Sequence, residues 1–300
     1  MFRSGFITII GKPNVGKSTW LNTILNEKIS IISNKPQTTR DTIRGIYHYD
    51  EGQMIFIDTP GIHQSKHRLG MTMTHNALAT LSSVDVVLYM ISATEKFDDT
   101  DAMILERLKG VKTPVVLVIN KLDLVKDTPR LKEHIAQYKK RYEFTFVVGI
   151  SALKGQFVGA LIDDLKPLLP EGPAYYPKDM KTDSPKKHMV AERIREKILR
   201  LTQEEIPHSA MVAIDYIEYD DAYEHVLNIH ASIIVERDSQ KGILIGKQGA
   251  MIKRIGTYAR TDILHLLGEK VFLDLHVKVE KDWRNKEHLL KQYGYLDGLS

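Results

Sequence analysis

The chain holds 300 residues, 43% apolar and 27% charged, enough to bury two ordinary cores and too apolar for a disordered polymer. A net charge of +4 announces no polyanionic partner, and the absence of cysteine excludes disulfides, thiolate catalysis and cysteine-held metals. The longest apolar run, 86–91, is far short of a membrane span, and the N-terminal residues lead straight into a glycine loop; a cytoplasmic protein without a transmembrane segment is expected.

Short β-rich runs at 6–10, 54–57, 84–91, 115–119 and 144–150 alternate with helical periodicities at 18–26, 98–109, 129–142 and 156–169. That alternation predicts an α/β domain with a doubly wound, mostly parallel sheet. Residues 42–49 read as a further strand, and the turn at Glu51-Gly52 makes it the antiparallel hairpin partner of the next. Pro170, Gly172, Pro173, Pro177 and Pro185 break the pattern, so 1–169 is taken as the first domain and 170–188 as a linker. Beyond it a helix (189–201), two strands (210–217 and 225–235), a helical stretch after Gly249 and a last strand (271–279) predict a smaller α+β domain over 189–300.

Gly11-Lys12-Pro13-Asn14-Val15-Gly16-Lys17-Ser18 fits G-x-x-x-x-G-K-S between a predicted strand and a predicted helix, the context a phosphate loop requires. Its glycines let backbone N–H groups wrap a phosphate, Lys17 supplies charge to the β- and γ-phosphates, Ser18 is a ligand for Mg²⁺, and Thr19 continues the site. Asp58-Thr59-Pro60-Gly61 ends the 54–57 strand, where the carboxylate meets the metal through water and the Gly61 N–H meets the γ-phosphate. Asn120-Lys121-Leu122-Asp123 ends the 115–119 strand. The Asp123 carboxylate can accept from guanine N1–H and N2–H₂ together, whereas adenine offers neither donor, so the chemistry selects guanine. Ser151-Ala152-Leu153 ends the 144–150 strand and offers a backbone N–H to guanine O6.

In this order and spacing, residues 5–169 resemble the translation-factor-related class of GTPases. The resemblance implies GTP and GDP as ligands, Mg²⁺ as cofactor, and Lys17, Thr39 and Gly61 as the groups serving hydrolysis, with Thr39, or its neighbour Thr38, closing onto Mg²⁺ from the first switch, Gln37-Thr38-Thr39-Arg40. Position 62 is isoleucine where Ras-like members place the water-orienting glutamine, so slow intrinsic turnover or another way of placing the nucleophile is expected. Related GTPases with this loop use an asparagine at the position of Asn14 to help hold K⁺; a loop-capping role is the alternative.

Gly246-Lys247-Gln248-Gly249 follows an apolar run and opens a helix with Ile252 and Ile255 inward and Lys253 and Arg254 outward. Residues 237–260 carry six basic side chains against one acidic, whereas 215–224 hold Asp215, Glu218, Asp220, Asp221 and Glu224 with no Lys or Arg. The positive charge is gathered at the loop. This resembles the G-x-x-G loop of type II KH modules, implying single-stranded RNA contacts at Gly246, Lys247, Gln248, Gly249, Lys253 and Arg254.

A GTPase followed by a type II KH module, with Ile194-Arg195-Glu196-Lys197-Ile198 leading the second domain and Trp283 near its end, is similar to the Era family of bacterial GTPases over nearly the whole chain. That resemblance implies a monomer that binds the 3′ end of 16S ribosomal RNA during assembly of the 30S subunit, with peripheral association at the inner face of the cytoplasmic membrane. Two other readings compete. One is a signalling switch whose KH-like module docks a protein or a membrane, disfavoured by the intact G-x-x-G; the other is an ATPase or nucleotide kinase, disfavoured by Asn120-Lys121-Leu122-Asp123.

Overall fold

The computed structural model describes residues 1–35, 37–220 and 226–296. Six strands form the first sheet: β1 (Arg3–Ile10), β2 (Ile43–Tyr49), β3 (Gly52–Asp58), β4 (Val86–Ser92), β5 (Val115–Asn120) and β6 (Phe146–Gly149). Their order is β2-β3-β1-β4-β5-β6, parallel except for β2, which pairs antiparallel with β3 as its short turn requires. Strands β3, β4 and β5 are buried along their whole length, because helices cover both faces. Helices α1 (Lys17–Leu25) and α5 (Val158–Leu165) cover one face, and α3 (Asp99–Leu108) and α4 (Thr128–Lys139) the other, with two apolar cores between. Asp98 starts α3 with a capping box and Asp127 caps α4, each satisfying N–H groups the first turn leaves free.

Nothing in the sequence of 60–83 predicts an element, but Arg68–Ala79 is a helix, α2. No side chain caps its start; Leu69, Met73 and Ala77, one turn apart, are its buried stripe. Residues 170–185 have linker composition, yet they lie along the first sheet: Ile46 N–H donates to Lys181 O (2.8 Å), covering the edge strand β2, and Gln53 Oε1 accepts from the Tyr175 N–H (2.9 Å).

The second unit begins with α6 (Lys186–Leu201), three residues earlier than the periodicity suggested, and a short α7 (Ile206–Ser209). A three-stranded sheet follows, with β7 (Met211–Tyr219) antiparallel to β8 (Val226–Val235) and β8 parallel to β9 (Lys270–Val279). The apolar run before G-x-x-G proves to be a helix, α8 (Asp238–Ile245), so one helix precedes the loop and one, α9 (Ala250–Leu267), follows it. Val190, Ile194 and Ile198 of α6 and Ile255, Ala259 and Ile263 of α9 bury their side chains against one face of this sheet. A last helix, α10 (Glu287–Gln292), ends the described chain. Asp221, Glu224 and His225 lie outside the described residues.

Candidate nucleotide and nucleic-acid sites

Between β1 and α1 the backbone turns back on itself, with positive φ at Gly11 (151°), Asn14 (62°) and Gly16 (104°). A Cβ on Gly11 would sit 2.2 Å from Met90 O, and one on Gly16 2.2 Å from Asn120 Nδ2, so both positions require glycine on space as well as conformation. The loop borders a cavity of about 510 Å³ at the carboxyl ends of the strands, where open α/β sheets bind ligands. Pro13, Asn14, Gly16, Lys17, Ser18, Thr19, Thr39, Gly61, Asn120, Lys121, Asp123 and Leu153 line it. So do Gln37 and Thr38 of the expected first switch, and Ile31, Ile32, Ser33, Asn34 and Leu124, which no motif marks.

The remaining candidates stand behind this wall. Lys12 turns away from the cavity: its ammonium meets Asp98 at 2.9 Å and the fully buried Asp101 at 2.8 Å, while Tyr89 donates to Asp101 at 2.7 Å. The side chain at the second loop position thus anchors the loop to α3 and cannot serve a phosphate. Val15 is a core residue. Thr59 donates to Ile9 O at 2.7 Å, and Pro60 is buried beside it. Ser151 donates to Asp123 Oδ1 at 2.5 Å, and the Ala152 N–H donates to Asn120 Oδ1 at 2.9 Å. Ile62 is fully buried, and its N–H donates to Gly11 O at 3.0 Å.

Lys17 is buried, and its ammonium donates to Gly11 O (3.1 Å) and Lys12 O (3.0 Å). Burial pulls its pKa down to about 8, against the opposing pull of Asp58 and Glu95. Next to it Ser18 Oγ lies 2.9 Å from Thr39 Oγ1 and 2.7 Å from Asp58 Oδ2. The other Asp58 oxygen is buried with no partner, and burial raises the pKa of this carboxyl. Three hard oxygen donors, one of them an unsatisfied carboxylate, suit Mg²⁺. Thr39 faces this cluster; Thr38 donates to Lys35 O (2.6 Å) instead. Asn14 Nδ2 donates to Asn34 O at 2.9 Å, tying the phosphate loop to the segment before Thr38.

That segment also touches the second unit. The buried Arg40 guanidinium donates to Ala210 O (2.8 Å), His208 O (3.0 Å) and Pro207 O (3.2 Å), and Arg195 of α6 donates to Thr38 O. Lys35 donates to Leu199 O (2.5 Å) and to Thr202 O. A second contact between the units is apolar: Leu69 and Met73 of α2 pack with Met211, Ile234, Trp283 and Leu290.

In the second unit Gly246 (φ 72°, ψ 173°) ends α8, Gln248 and Gly249 have positive φ, and Lys247 and Gln248 are exposed. Beside this loop a groove between α9 and β9 is lined by Ile252, Lys253, Gly256, Thr257, Arg260, Leu273 and Leu275. Its floor is apolar and its rim basic. Arg254 does not line it; its guanidinium lies 5.8 Å from the Tyr258 ring. Gly256, Arg260, Leu273 and Leu275 were not singled out from sequence, because the groove joins a helix to a strand that follows it in the chain.

Fold and site together define a phosphate-loop GTPase joined to a KH module. Residues 6–121 match the family model described as 50S ribosome-binding GTPase, and 205–284 that of the KH domain. A structure of an Aquifex aeolicus Era variant bound to GDP·AlF4⁻ is 42% identical, with a TM-score of 0.93 over 98% of this chain and 99% of that one. A structure of Era in complex with MgGDPNP and nucleotides 1506–1542 of 16S ribosomal RNA is also 42% identical, with a TM-score of 0.94 and the same coverage. The chain belongs to the Era family and is a GTPase. Among the described residues no helix is long and apolar enough to cross a membrane.

Proposed function

We propose that this GTPase binds the 3′ end of 16S ribosomal RNA through its KH module and assists assembly of the 30S subunit, with the nucleotide governing how the module is presented. The observation that carries this is the likeness, over 98% of the chain, to Era in complex with MgGDPNP and 16S ribosomal RNA. The 50S description belongs to a model matching 6–121 only, whereas the RNA-bound relative matches both units.

In this reading Asn120 and Asp123 hold the guanine, backbone N–H groups of 13–18 and Lys17 hold the phosphates, and Gly61 approaches the γ-phosphate. Ser18 and Thr39 would ligate Mg²⁺, with Asp58 through water, and the chemistry it would supply there is neutralisation of charge on the phosphate oxygens. Asn14 contributes to a K⁺ site. Lys247 and the N-terminus of α9 hold RNA phosphates, Lys253 and Arg260 flank the groove, and Ile252, Leu273 and Leu275 give bases an apolar floor. Arg40 and Arg195 relay the state of the Thr39 segment to the second unit. The protein acts as a cytoplasmic monomer that also associates peripherally with the membrane.

The test is titration of a single-stranded RNA matching the 3′ end of 16S ribosomal RNA at fixed salt, with GTP analogue or GDP bound, for wild type and Lys247→Glu. Tighter binding with the GTP analogue, weakened by Lys247→Glu, supports the reading. Unaltered affinity in the variant removes the RNA role of the KH module and favours a protein or membrane partner; loop-dependent binding that ignores the nucleotide keeps RNA recognition and discards the switch.

A further inference from the structure

The face of the second sheet turned away from α6 and α9 carries a cluster used by neither site. In β8 and β9 the side chains of Ile229, Ala231, Val271 and Val277 enter the core, so strand alternation sends His230, Asp274 and His276 to the opposite face. His230 and Asp274 are register partners in the parallel pair, and His276 follows Asp274 by two residues. Their ligand atoms lie within 4.8 Å of one another. His230 Nδ1 is 3.2 Å and His276 Nε2 2.9 Å from the same oxygen, Asp274 Oδ2. Tyr216, partner of His230 across the antiparallel pair, stacks on its imidazole with 4.2 Å between centroids, fixing the ring plane.

We propose that His230, Asp274 and His276 bind one divalent transition-metal ion of the zinc class on the outer face of the KH sheet, leaving further coordination positions open to water or an external donor.

Two imidazoles and one carboxylate form a donor set that suits Zn²⁺, Co²⁺ or Ni²⁺ and not Mg²⁺. Bonds of about 2.0–2.2 Å to a tetrahedral ion place neighbouring donors roughly 3.3 Å apart, close to the separations from Asp274 Oδ2 found here. Two ring nitrogens converge on a single carboxylate oxygen: His276 Nε2 is hydrogen-bonded to it at 2.9 Å and His230 Nδ1 lies 3.2 Å away. An ion at that meeting point is bound by Nδ1 of His230 and Nε2 of His276 as neutral imidazoles, each carrying its proton on the outer nitrogen, Nε2 of His230 and Nδ1 of His276. With His276 side-chain exposure at 61% and Asp274 at 36%, an ion reaches the cluster directly and the two side chains adjust around it. Ser18, Thr39 and Asp58 offer only oxygen, so the two metal sites select different ions. The cluster lies across the sheet from the α9 groove, so metal and RNA do not compete for the same surface.

The test uses the untagged full chain, saturated with GDP and excess Mg²⁺ so that the oxygen site is filled. Titration with Co²⁺, followed by visible d–d absorption, and with Zn²⁺ by calorimetry should give one equivalent. His276→Gln, His230→Gln and Asp274→Asn should each weaken binding by at least about tenfold, while His75→Gln, at an exposed histidine of α2, leaves it unchanged. Circular dichroism and GDP affinity, expected unchanged in all four, separate loss of the ligand from loss of the fold. Absence of stoichiometric uptake by wild type, or a cobalt spectrum unaltered in folded His276→Gln, overturns the proposal.

Discussion

The Arg40 guanidinium lies 5.8 Å from the centroid of the Trp283 indole, and each side chain donates into the end of α7, Arg40 to Ala210 O at 2.8 Å and Trp283 Nε1–H to Ser209 O at 2.8 Å. Arg40, seated in the second unit, directly follows Thr39, whose Oγ1 lies in the oxygen cluster with Ser18 and Asp58. Movement of the Thr39 segment toward or away from a γ-phosphate therefore drags on α7 and Trp283.

Replacing Arg40 tests that connection. Arg40→Ala removes a buried cation from three carbonyls and should cost roughly 2–3 kcal/mol of stability. GDP affinity should stay close to wild type, because Arg40 does not line the cavity. RNA binding should lose its dependence on the bound nucleotide; a variant that still distinguishes GTP analogue from GDP by the wild-type factor would show the link runs elsewhere.

Base selection is tested at Asp123. Asp123→Asn should weaken GTP and GDP by about 2–4 kcal/mol, the loss of a charge-assisted hydrogen-bond pair, and should improve xanthosine nucleotides, whose C2 oxygen accepts from the new amide. Equal affinity of wild type for ATP and GTP would contradict the assignment.

Lys17 gives a pH signature. With its free-state pKa pulled down to about 8, it is charged at neutral pH with or without nucleotide, so binding moves no proton. Above about pH 8 the free chain has lost that charge, phosphates restore it, and binding must take up a proton, so affinity falls as pH rises. Calorimetry in two buffers of different ionisation enthalpy should show more proton uptake near pH 8.5 than near pH 7; equal uptake at the two pH values would contradict the lowered Lys17 pKa.

Hydrolysis in K⁺ should exceed that in Na⁺ at equal ionic strength, and Asn14→Ala should abolish the difference. Because Asn14 also bonds Asn34 O, the variant should be checked for unchanged GDP affinity. Identical rates in both salts would reject the ion role.

The two glycines of the KH loop differ. A Cβ on Gly246 would lie 2.8 Å from Met251 Cβ, at a backbone conformation only glycine adopts, so Gly246→Ala should perturb α8 and α9 as well as RNA binding. Gly249 has open space around it but sits at φ 78°, a left-handed conformation that Asp tolerates at a cost of about 1 kcal/mol, so Gly249→Asp should keep the fold with a slightly lower melting temperature and weaken RNA binding by more than that loss explains.

The first sheet was legible because buried parallel strands read as apolar runs between helical periodicities, and the phosphate loop because its chemistry is local. Helix α2 was not legible: it has no cap, and Leu69 and Met73 bury against Trp283 and Leu290, distant in sequence. The direction of Lys12 could not be read either, since it depends on Asp98 and Asp101 at the start of α3. Thr38 and Thr39 look alike as letters and separate only once Ser18 is positioned. The His230 cluster spans two strands whose register no local pattern specifies.

Asn120 holds two loops with one amide: its Nδ2 donates to Val15 O at 2.9 Å, and its Oδ1 accepts from Ala152 N–H at 2.9 Å. The side chain works as a ruler laid between the end of the cavity that reads a base and the end that wraps phosphates. A ligand must therefore have the span of a whole nucleotide to engage both ends, and a free diphosphate or a bare nucleoside reaches only one. Loosening the ruler, as in Asn120→Ala, would let each end drift and turn one long site into two short ones.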